Sequence, residues 1–293
     1  MSITKADNLI KHAITGVVIL YEPVEGTLKN IASYIDKINL LYIIDNSNET
    51  YPFVTKFIEN RPEKTTYIFN NGNLGVAAAL NIAINKALED GYSYLLTMDQ
   101  DSYFEEGSLE ILINSLADLN SAGIVSPFHK NRFFTNPPKI KGPEEVSDVM
   151  TSGNIVNLSA IKKIGNFKED YFIDYVDIEF CLRLRKNNFK IIRINNSFLV
   201  HNEANVTHKK IFGFTVYPQN HSAARWYYKI RNYLYLEKEY YSYFNEYFGK
   251  EKRNVRNSII KVLLFEKEKT KKINMMLKGY RHFHKKITGK LSS

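Results

Sequence analysis

Short apolar runs that end in polar turns recur through the first part of the chain. The first four are Ala13–Tyr21, Leu40–Ile44, Thr65–Phe69 and Tyr94–Met98. Apolar runs without alternation are typical of strands that are buried on both faces of a parallel sheet. Helical patterns that start near Thr27 and Gly75 separate some of these runs, which indicates βαβ construction. The pattern therefore predicts an α/β fold around a mixed, mostly parallel sheet.

The next hundred residues continue the alternation of helix and strand. The pattern predicts a helix over Ser108–Leu119, a strand at Gly123–Val125, an aperiodic loop over His129–Glu145 and a strand over Phe189–Val200. The loop holds four proline or glycine residues among basic ones. Long loops in compact domains are usually functional, which is a reason to regard this one as more than a connection.

Three of the apolar runs end directly in polar side chains. The three polar segments are Asp45–Ser47, Asn70–Asn73 and Asp99–Asp101. In open α/β sheets, ligands bind at the carboxyl ends of the strands. Two carboxylates at positions i and i+2 of a strand end, here Asp99 and Asp101, can hold a hard divalent cation that neutralises a diphosphate. The alternative is an Asp-rich turn without a ligand, because Asp and Ser favour turns for their own reasons.

A second acidic cluster lies where an apolar segment turns into a helix, at Tyr171–Arg183. Asp177 falls in the first turn of that helix, so it is either a functional carboxylate or a group that is favoured there by the helix dipole. Glu179 and Arg183 have the spacing of a surface ion pair. His201 follows the last predicted strand, at the expected sheet edge of the paired acids, and is either a ligand or a structural histidine.

The pattern changes after Ile211, where aromatic and basic residues dominate. The segment Arg225–Tyr235 combines them at helical spacing, as either a core helix whose arginines reach solvent or a helix that binds phosphate and stacks on an acceptor. Apolar residues at Ile259–Phe265 and basic residues from Lys267 predict amphipathic helices. We therefore expect an α/β domain over residues 1–210 and a basic helical extension over residues 211–293.

The positive charge of the chain is concentrated at its C-terminal end. The formal net charge is +9, yet the segment from Lys250 onward carries 14 Lys and Arg and 3 Glu, a net +11. The preceding 249 residues carry 26 basic and 28 acidic residues. This balance argues against a body that binds nucleic acid, and it favours a tail that lies on an anionic membrane surface. A solvated charged helix is the alternative.

The cysteine content and the hydropathy of the chain limit the compartments in which we expect the protein. The single Cys181 excludes an internal disulfide and suits a reducing compartment. No apolar run reaches the about 18 residues that a spanning helix needs. The run Ala13–Tyr21 lacks a small-residue cleavage site and ends at Glu22 and Pro23, unlike a signal peptide. We expect a cytoplasmic protein that is peripheral at the inner face of the membrane.

Taken together, these segments resemble the inverting glycosyltransferases of family 2, and they look most like the bacterial rhamnosyltransferase branch. The resemblance runs from about Ala13 to Leu234 and rests on six segments in the family's order. They are Tyr21–Pro23, Asp45–Ser47, Asn71–Ala77, Thr97–Ser102, Thr151–Asn154 and Tyr175–Arg183. The Asp-Gln-Asp form of the fourth segment is typical of the rhamnosyl branch, and Val176 stands where the family often has an acid.

The resemblance implies a GT-A fold, a Rossmann-like nucleotide-binding domain, and a metal-dependent transfer. Asp45 would accept a hydrogen bond from the pyrimidine base of the donor, and Asp177 would be the general base. Mg²⁺ or Mn²⁺ would bridge the diphosphate, held by Asp99, Asp101 and His201. The other donor-binding residues that it implies are Tyr21, Asn73, Gly75, Gln100, Ser152 and Gly153. Arg231, and less strongly Arg225, would contact the phosphates, because positive charge stabilises a diphosphate leaving group.

Three further hypotheses compete with the leading one, which is transfer of L-rhamnose from dTDP-L-rhamnose to a lipid-linked glycan in cell-surface polysaccharide synthesis. The first keeps the fold and changes the donor to a UDP-hexose or UDP-galactofuranose, because a few pocket contacts set sugar specificity. The second is a nucleotidyltransferase, but no Gly-rich basic phosphate loop follows the first strand. The third is a non-enzymatic module that binds anionic surfaces through the tail.

Overall fold

The computed structural model of the chain describes residues 13–130, 139–201, 209–211, 214–216, 218 and 220–291. The chain divides into two compact units. The first contains Met1–Glu169 and Phe180–Asn202, and the second contains Asp170–Glu179 and Glu203–Ser293. The domain boundary at residue 210 stays a prediction, and the structure adds that the short segment 170–179 groups with the C-terminal residues.

The first unit is built around one mixed sheet. Its strands are β1 (Ile14–Leu20), β2 (Leu41–Asp45), β3 (Thr65–Phe69), β4 (Tyr94–Asp99), β5 (Ser102–Phe104), β6 (Ile124–Lys130), β7 (Pro143–Glu145), β8 (Asn154–Asn157) and β9 (Ile191–His201). Their order is β3-β2-β1-β4-β8-β6-β9-β5, and β7 pairs with β9. Strands β5, β7 and β8 run opposite to the other six. The predicted mixed, mostly parallel sheet is confirmed.

Helices connect the parallel strands of this unit. They are α1 (Gly26–Ala32), α2 (Pro52–Glu59), α3 (Val76–Glu89), α4 (Ser108–Ser115), α5 (Leu158–Ile164) and α6 (Val176–Lys186), whose first turn belongs to the second unit. Local sequence explains the starts of two helices. Pro52 occupies the first turn of α2, where its missing N–H costs nothing, and the Asn157 side chain caps α5 by accepting from the Ser159 N–H.

The core of the first unit lies against β1, β2 and β4. Nearly every residue of these strands is buried, so both faces of the sheet are covered. Val18, Ile43 and Leu96 are among the fully buried residues of the cluster. Each such side chain contributes about 1.5–3 kcal/mol through its burial. The strand ends that carry the polar segments are therefore fixed by a well-packed sheet.

The second unit is mainly helical. It contains the hairpin β10 (Lys209–Ile211) and β11 (Phe214–Val216) and the helices α7 (Ala223–Tyr240), α8 (Asn245–Phe265) and α9 (Lys269–His284). The Ser222 side chain caps α7 by accepting from the Arg225 N–H. Trp226, Val262 and Met276, one from each helix, form a buried cluster. Among the residues described, no helix combines the length and apolarity that crossing a membrane requires.

Several boundaries differ from the predicted ones. The prediction omits α2, and the helix predicted over Ser108–Leu119 ends at Ser115. The predicted loop His129–Glu145 was wrong at both ends, because His129 and Lys130 lie in β6 and its last three residues form β7. Residues 131–138 of that loop lie outside the described part of the chain. Backbone pairing with β9 decides these ends, and hydropathy carries no signal for it.

Candidate active site

The parallel pairing of β1, β2 and β4 brings the carboxyl ends of these three strands to one sheet edge. Leu20 lies opposite Asp45, and Ile19 lies opposite Asp99. The residues that follow these positions, from Tyr21, Asn46 and Gln100 onward, therefore leave the sheet side by side. This is the edge at which open α/β sheets bind ligands.

Asp45 is fully buried, and its carboxylate is held from both sides. Its Oδ1 accepts from the Ser47 N–H at 2.9 Å, and its Oδ2 accepts from the Tyr67 hydroxyl at 2.8 Å. The neighbouring Asn46 accepts from the Asn70 amide at 2.8 Å. The turns after β2 and β3 are thus joined through their side chains, and Asp45 fixes the shape of this edge.

The turn before α3 needs the residues that the sequence singled out. The Gly75 N–H donates to Asn73 Oδ1 at 2.9 Å, and the Gly75 carbonyl accepts from the Asn46 amide at 3.2 Å. Gly75 has a φ of 90°, a region that favours glycine. Asn73, Gly75 and Asn46 therefore form one connected turn. Sequence reasoning gave no role to Asn46, although its position after a strand was visible.

Gln100 ties the ends of β1 and β4 together. Its Oε1 accepts from the Tyr21 N–H at 2.9 Å, and its Nε2 donates to the Tyr21 carbonyl at 3.0 Å. The Gln100 carbonyl in turn accepts from the Asn30 amide at 2.9 Å. The glutamine of the Asp-Gln-Asp segment thus has a structural function here, because its amide fixes the backbone between the two acids.

The Ser152–Gly153 segment lies against the end of β4. Ser152 Oγ accepts from the Asp99 N–H at 3.0 Å, and the Gly153 N–H donates to the Thr97 carbonyl at 2.6 Å. Gly153 has a φ of 81°, and a Cβ there would lie 2.9 Å from side-chain carbons of Pro127 and Leu199. Only glycine fits this position, so it fixes how closely the segment approaches the acids.

His129 is a residue of this site that the sequence did not reveal. Its Nε2–H donates to the Ser152 carbonyl at 2.6 Å. Burial lowers the pKa of His129 to about 4, so the ring is neutral at physiological pH. The prediction placed His129 in a loop, and only its pairing in β6 shows that it supports the Ser152 segment.

Asp99, Asp101 and His201 come together as one cluster. One potential ligand atom of each lies within 4.8 Å of the others. The pairing of β5 with β9 places Ser102 opposite His201, and Ser102 Oγ lies 2.8 Å from His201 Nδ1, which orients the ring. Asp101 Oδ1 is buried and has no hydrogen-bond partner in the described structure. This oxygen lies 3.4 Å from His201 Nδ1, and a carboxylate oxygen without a hydrogen bond beside a second carboxylate and an imidazole fits Mn²⁺ or Mg²⁺.

The electrostatics of the cluster also favour a cation. Burial first, and then the negative charge of Asp101, raise the pKa of Asp99 to about 6, and His201 opposes the rise. Two carboxylates this close repel each other unless a positive charge lies between them. A cavity of about 640 Å³ borders the cluster, with Thr27, Asn30, Gln100, Asp101 and Tyr103 on its wall. This volume lies within the usual range of small-molecule sites.

The sequence profile described as "Glycosyl transferase family 2" matches residues 20–191, which is more than half of the chain. The chain belongs to glycosyl transferase family 2. The matched region contains the polar strand ends, Asp99 and Asp101, Ser152 and Asp177. The matched region thus includes most residues of the candidate site, whereas His201 lies beyond it.

Two curated relatives agree with this family. The chain is 26% identical to a dTDP-rhamnosyl transferase, RfbF, of Shigella flexneri over 245 residues, which is 78% of this chain and 81% of the relative. It is 24% identical to a low-salt glycan biosynthesis hexosyltransferase of Haloferax volcanii over 208 residues, covering 64% of this chain and 66% of the relative. Both relatives are glycosyltransferases by name.

A solved structure shares the fold. It is the crystal structure of GalNAc-T7 with UDP, GalNAc and Mn²⁺, which superposes with a TM-score of 0.61 at 13% sequence identity. The match covers 80% of this chain, and the chain spans about half, 49%, of the length of that protein. At this identity the likeness shows the fold alone. The GT-A fold predicted from the sequence is confirmed.

In the second unit of this glycosyltransferase, an unusual loop leads into α6 and Asp177. Phe172, Asp174 and Tyr175 all have φ near +60°, a region that non-glycine residues rarely adopt. The Asn232 amide holds the loop by donating to the carbonyls of Tyr171, Ile173 and Asp174 at 2.8–2.9 Å. Strain of this kind persists only when the surroundings fix it, and it occurs often at functional sites. Sequence reasoning missed Asn232.

The phosphate contacts expected of Arg231 and Arg225 do not fit this arrangement. Arg231 is fully buried, and its guanidinium donates to the carbonyls of Gly289 at 2.7 Å and Asp170 at 2.9 Å. Arg225 makes two hydrogen bonds to the Asp174 carboxylate, at 2.7 and 3.2 Å. Both arginines therefore support the loop that precedes Asp177. A phosphate contact would require these hydrogen bonds to break.

Proposed function

We propose that this enzyme transfers L-rhamnose from dTDP-L-rhamnose to a hydroxyl group of a glycan acceptor, with inversion at the anomeric carbon, in polysaccharide synthesis. One observation carries the proposal: the cluster Asp99, Asp101 and His201 lies at the same sheet edge as the Asp45 and Asn73–Gly75 turns. The rhamnosyl donor is proposed because the relative that is similar over 78% of the chain is named a dTDP-rhamnosyl transferase.

We assign binding and orientation of the nucleotide-sugar donor to residues of the first unit. In the proposal the sheet edge that Asp45 fixes and the Asn73–Gly75 turn hold the nucleoside, and the Ser152–Gly153 segment lies by the sugar. Asp99, Asp101 and His201 would hold Mg²⁺ or Mn²⁺. Such an ion neutralises the negative charge that develops on the leaving diphosphate. Gln100 keeps the two carboxylates in place through Tyr21.

On the acceptor side, we assign the general base to Asp177. A single in-line displacement needs one base that takes the proton of the attacking hydroxyl, and no second carboxylate nucleophile. Asp177 is half-buried in the first turn of α6, and its Oδ1 accepts from the Ile178 N–H at 2.9 Å. That contact and the clamped loop before it restrict where the carboxylate can lie.

A UDP-sugar is the second candidate donor. It is kept because of the likeness to a hexosyltransferase, since that relative's name specifies neither the hexose nor the nucleotide. The same site residues would serve, because the sugar is selected by a few contacts in the pocket.

We also propose that the C-terminal helices place the enzyme on an anionic membrane surface, where a lipid-linked acceptor would be available. Arg253, Arg256, Ile260, Leu263 and Leu264 are exposed and fall on one face of α8. Between Lys252 and Lys267 the only acid is Glu266, which is buried and paired with Lys272 at 2.7 Å. From Arg253 to Leu264 this face presents apolar and cationic side chains, which suits an anionic leaflet, whereas the exposed Glu246 lies on the same face two turns earlier.

Nucleotide binding tests the donor assignment. The melting temperature is measured with dTDP and with UDP, each with and without Mn²⁺. We expect Mn²⁺-dependent stabilisation that is larger with dTDP than with UDP, because ligands that bind only the folded state raise its stability. A preference for UDP would select the second candidate donor. Absence of a shift with either nucleotide, in folded protein, would refute the proposed donor site.

The variant Asp177→Asn tests the base. We expect it to keep the Mn²⁺-dependent nucleotide shift and to lose transfer by a factor of about 10²–10⁴, the usual contribution of general base catalysis. Transfer is measured by release of dTDP in the presence of acceptor. The outcome that contradicts the assignment is loss of nucleotide binding, or transfer at the wild-type rate.

A further inference from the structure

The second unit contains a polar cavity of about 400 Å³ that has no part in the site described above. Residues of α7 and α8 line it, together with Tyr175. The lining residues that bear polar groups include Trp226, Lys229, Glu251, Asn254, Asn257 and Lys261. Both oxygens of the single lining acid are already in use, because Glu251 accepts from the Tyr175 hydroxyl at 2.7 Å and from the Asn254 amide at 3.1 Å.

One residue that lines this cavity, Trp226, carries a donor group without a partner. Trp226 is 2% exposed, and its indole N–H has no hydrogen-bond acceptor within the described structure. A buried donor without an acceptor costs about 1–3 kcal/mol, so such groups are rare unless a ligand or water completes them. The indole N–H can only donate, and a group that satisfies it must therefore carry an acceptor atom.

Two lysines, Lys229 and Lys261, line the cavity and outnumber its single acid, Glu251. The pKa of Lys229 is lowered, first by burial and also by Arg225, while the negative charges of Asp174, Glu251 and Asp177 oppose the shift. The pKa of the adjacent His221 falls to about 3, first through burial and then through the positive charges of Lys229, Arg225 and Lys272. An oxyanion near Lys229 and Lys261 would be stabilised by this charge and by hydrogen bonds from their ammonium groups.

We infer that this cavity binds an anionic group, a phosphate or a carboxylate, that is carried by the acceptor saccharide. The inference rests on the proposed function, since it names what the acceptor of that transfer contains. The charge of Asp177 acts on Lys229, so the cavity and the proposed base are electrostatic neighbours within the same unit. An anionic group bound at Lys229 and Lys261 would anchor the acceptor beside the carboxylate that takes its proton.

The protein reports on this cavity by itself, because Trp226 is its only tryptophan. The full-length protein is titrated with glucose 1-phosphate, glucuronate and glucose at constant ionic strength, and Trp226 emission is recorded. We expect a saturable change with glucose 1-phosphate or glucuronate, at concentrations at least about tenfold below those at which glucose acts. The anion that binds more tightly identifies the source, a sugar phosphate or a sugar acid.

Matched variants distinguish anion binding in this cavity from nonspecific attraction to the positive charge of the helix. Lys261→Gln should weaken binding of the preferred anion about tenfold, as expected for one charge-assisted hydrogen bond. Lys250→Gln, an exposed lysine on the same helix that does not line the cavity, should leave binding unchanged. Melting temperatures of both variants confirm that they are folded.

Two results would overturn the inference. One is an equal response to glucose and to the anionic sugars. The other is no binding of any of the three, either by emission or by calorimetry, in protein that still shows the Mn²⁺-dependent dTDP shift. In that second case the proposed function stands and only the anionic cavity fails. If anions bind but the nucleotides give no shift, the anionic cavity stands and the proposed donor site fails.

Discussion

Among the single residues of the site, Asp99 is the carboxylate whose ionisation is opposed both by burial and by a neighbouring acid. Its folded-state pKa of about 6 is above its ordinary value of 3.8, mainly through burial and then through Asp101. The folded, metal-free protein therefore binds a proton at Asp99 more tightly than the unfolded chain does. The stability that this proton provides is present below about pH 4 and is lost as the pH rises through 6.

Asp99→Asn should therefore raise the melting temperature of the metal-free protein at pH 7.5, by about 2–4 °C for each 1 kcal/mol of repulsion removed. The difference from wild type should shrink at pH 5, because Asp99 is then mostly protonated in the folded protein while it is still mostly ionised in the unfolded chain, so wild type regains stability. The same variant should lose the stabilisation by Mn²⁺ with dTDP. Thermal melts with EDTA and with Mn²⁺ measure both effects.

Asp118→Asn, which changes an exposed acid of the same unit, is the control and should shift neither melt. A lower melting temperature for Asp99→Asn than for wild type at pH 7.5 would show that the carboxylate is not strained in the metal-free state.

The residues of the donor edge could be predicted because parallel strands have only one carboxyl edge. Once the apolar runs are recognised as strands, Asp45, Asn73 and Asp99 must lie near one another. The partners of Arg231 could not be predicted in this way. They are backbone carbonyls of Asp170 and Gly289, which are 61 and 58 residues away and are brought together only by tertiary packing.

At the level of elements, α7 and α9 pack closely against each other at Gly279. A Cβ added at Gly279 would lie 2.5 Å from the Tyr227 carbonyl oxygen, which cannot move without bending α7. The contact also aligns the Tyr227 hydroxyl with His282 Nδ1, 2.9 Å away. Gly279 therefore sets how closely the two helices approach.

Gly279→Ala should lower the free energy of unfolding by about 1–3 kcal/mol, as overpacked sites do. Gly249, in α8, has open space around its Cβ position, and Gly249→Ala should raise stability by up to about 1 kcal/mol through helix propensity alone. Urea denaturation of the two variants measures this contrast. Equal effects of the same sign would show that α7 and α9 have room to separate.

The predictability of elements follows their length and their dependence on pairing. Thr65–Phe69 was predicted with its observed bounds, because an apolar β-branched run is a local signal. The eight residues of α2 were missed, since fewer than three turns give little periodicity. The three-residue strands β5 and β7 exist only through their pairing with β9.

For the whole molecule, composition predicts where the charge lies but not which face presents it. The net charge of +11 on residues 250–293 follows directly from the sequence. The structure identifies Ile260, Leu263 and Leu264 as exposed residues on the same side of α8 as Arg253 and Arg256. Which apolar residues of α8 are exposed depends on its packing within the second unit, where Val262 is buried.

The variant with both Leu263→Ser and Leu264→Ser should therefore bind vesicles of anionic lipid more weakly than wild type, by roughly tenfold or more, since each buried leucine contributes about 1.5–3 kcal/mol. Cosedimentation with vesicles at two salt concentrations measures binding and its electrostatic part. Ile140→Ser, which changes an exposed apolar residue of the first unit, should have no effect. If the double variant binds the vesicles as tightly as wild type and the control do, the membrane face is refuted.

The discontinuous second unit limits how this enzyme could be recombined with its relatives. Asp170–Glu179 groups with Glu203–Ser293, although 23 residues of the first unit separate them along the chain. A hybrid made with one crossover near residue 203 would inherit Asp177 from one parent and the residues that clamp its loop, Arg231 and Asn232, from the other. Exchange of acceptor specificity therefore calls for a double graft that moves 170–179 together with the C-terminal helices.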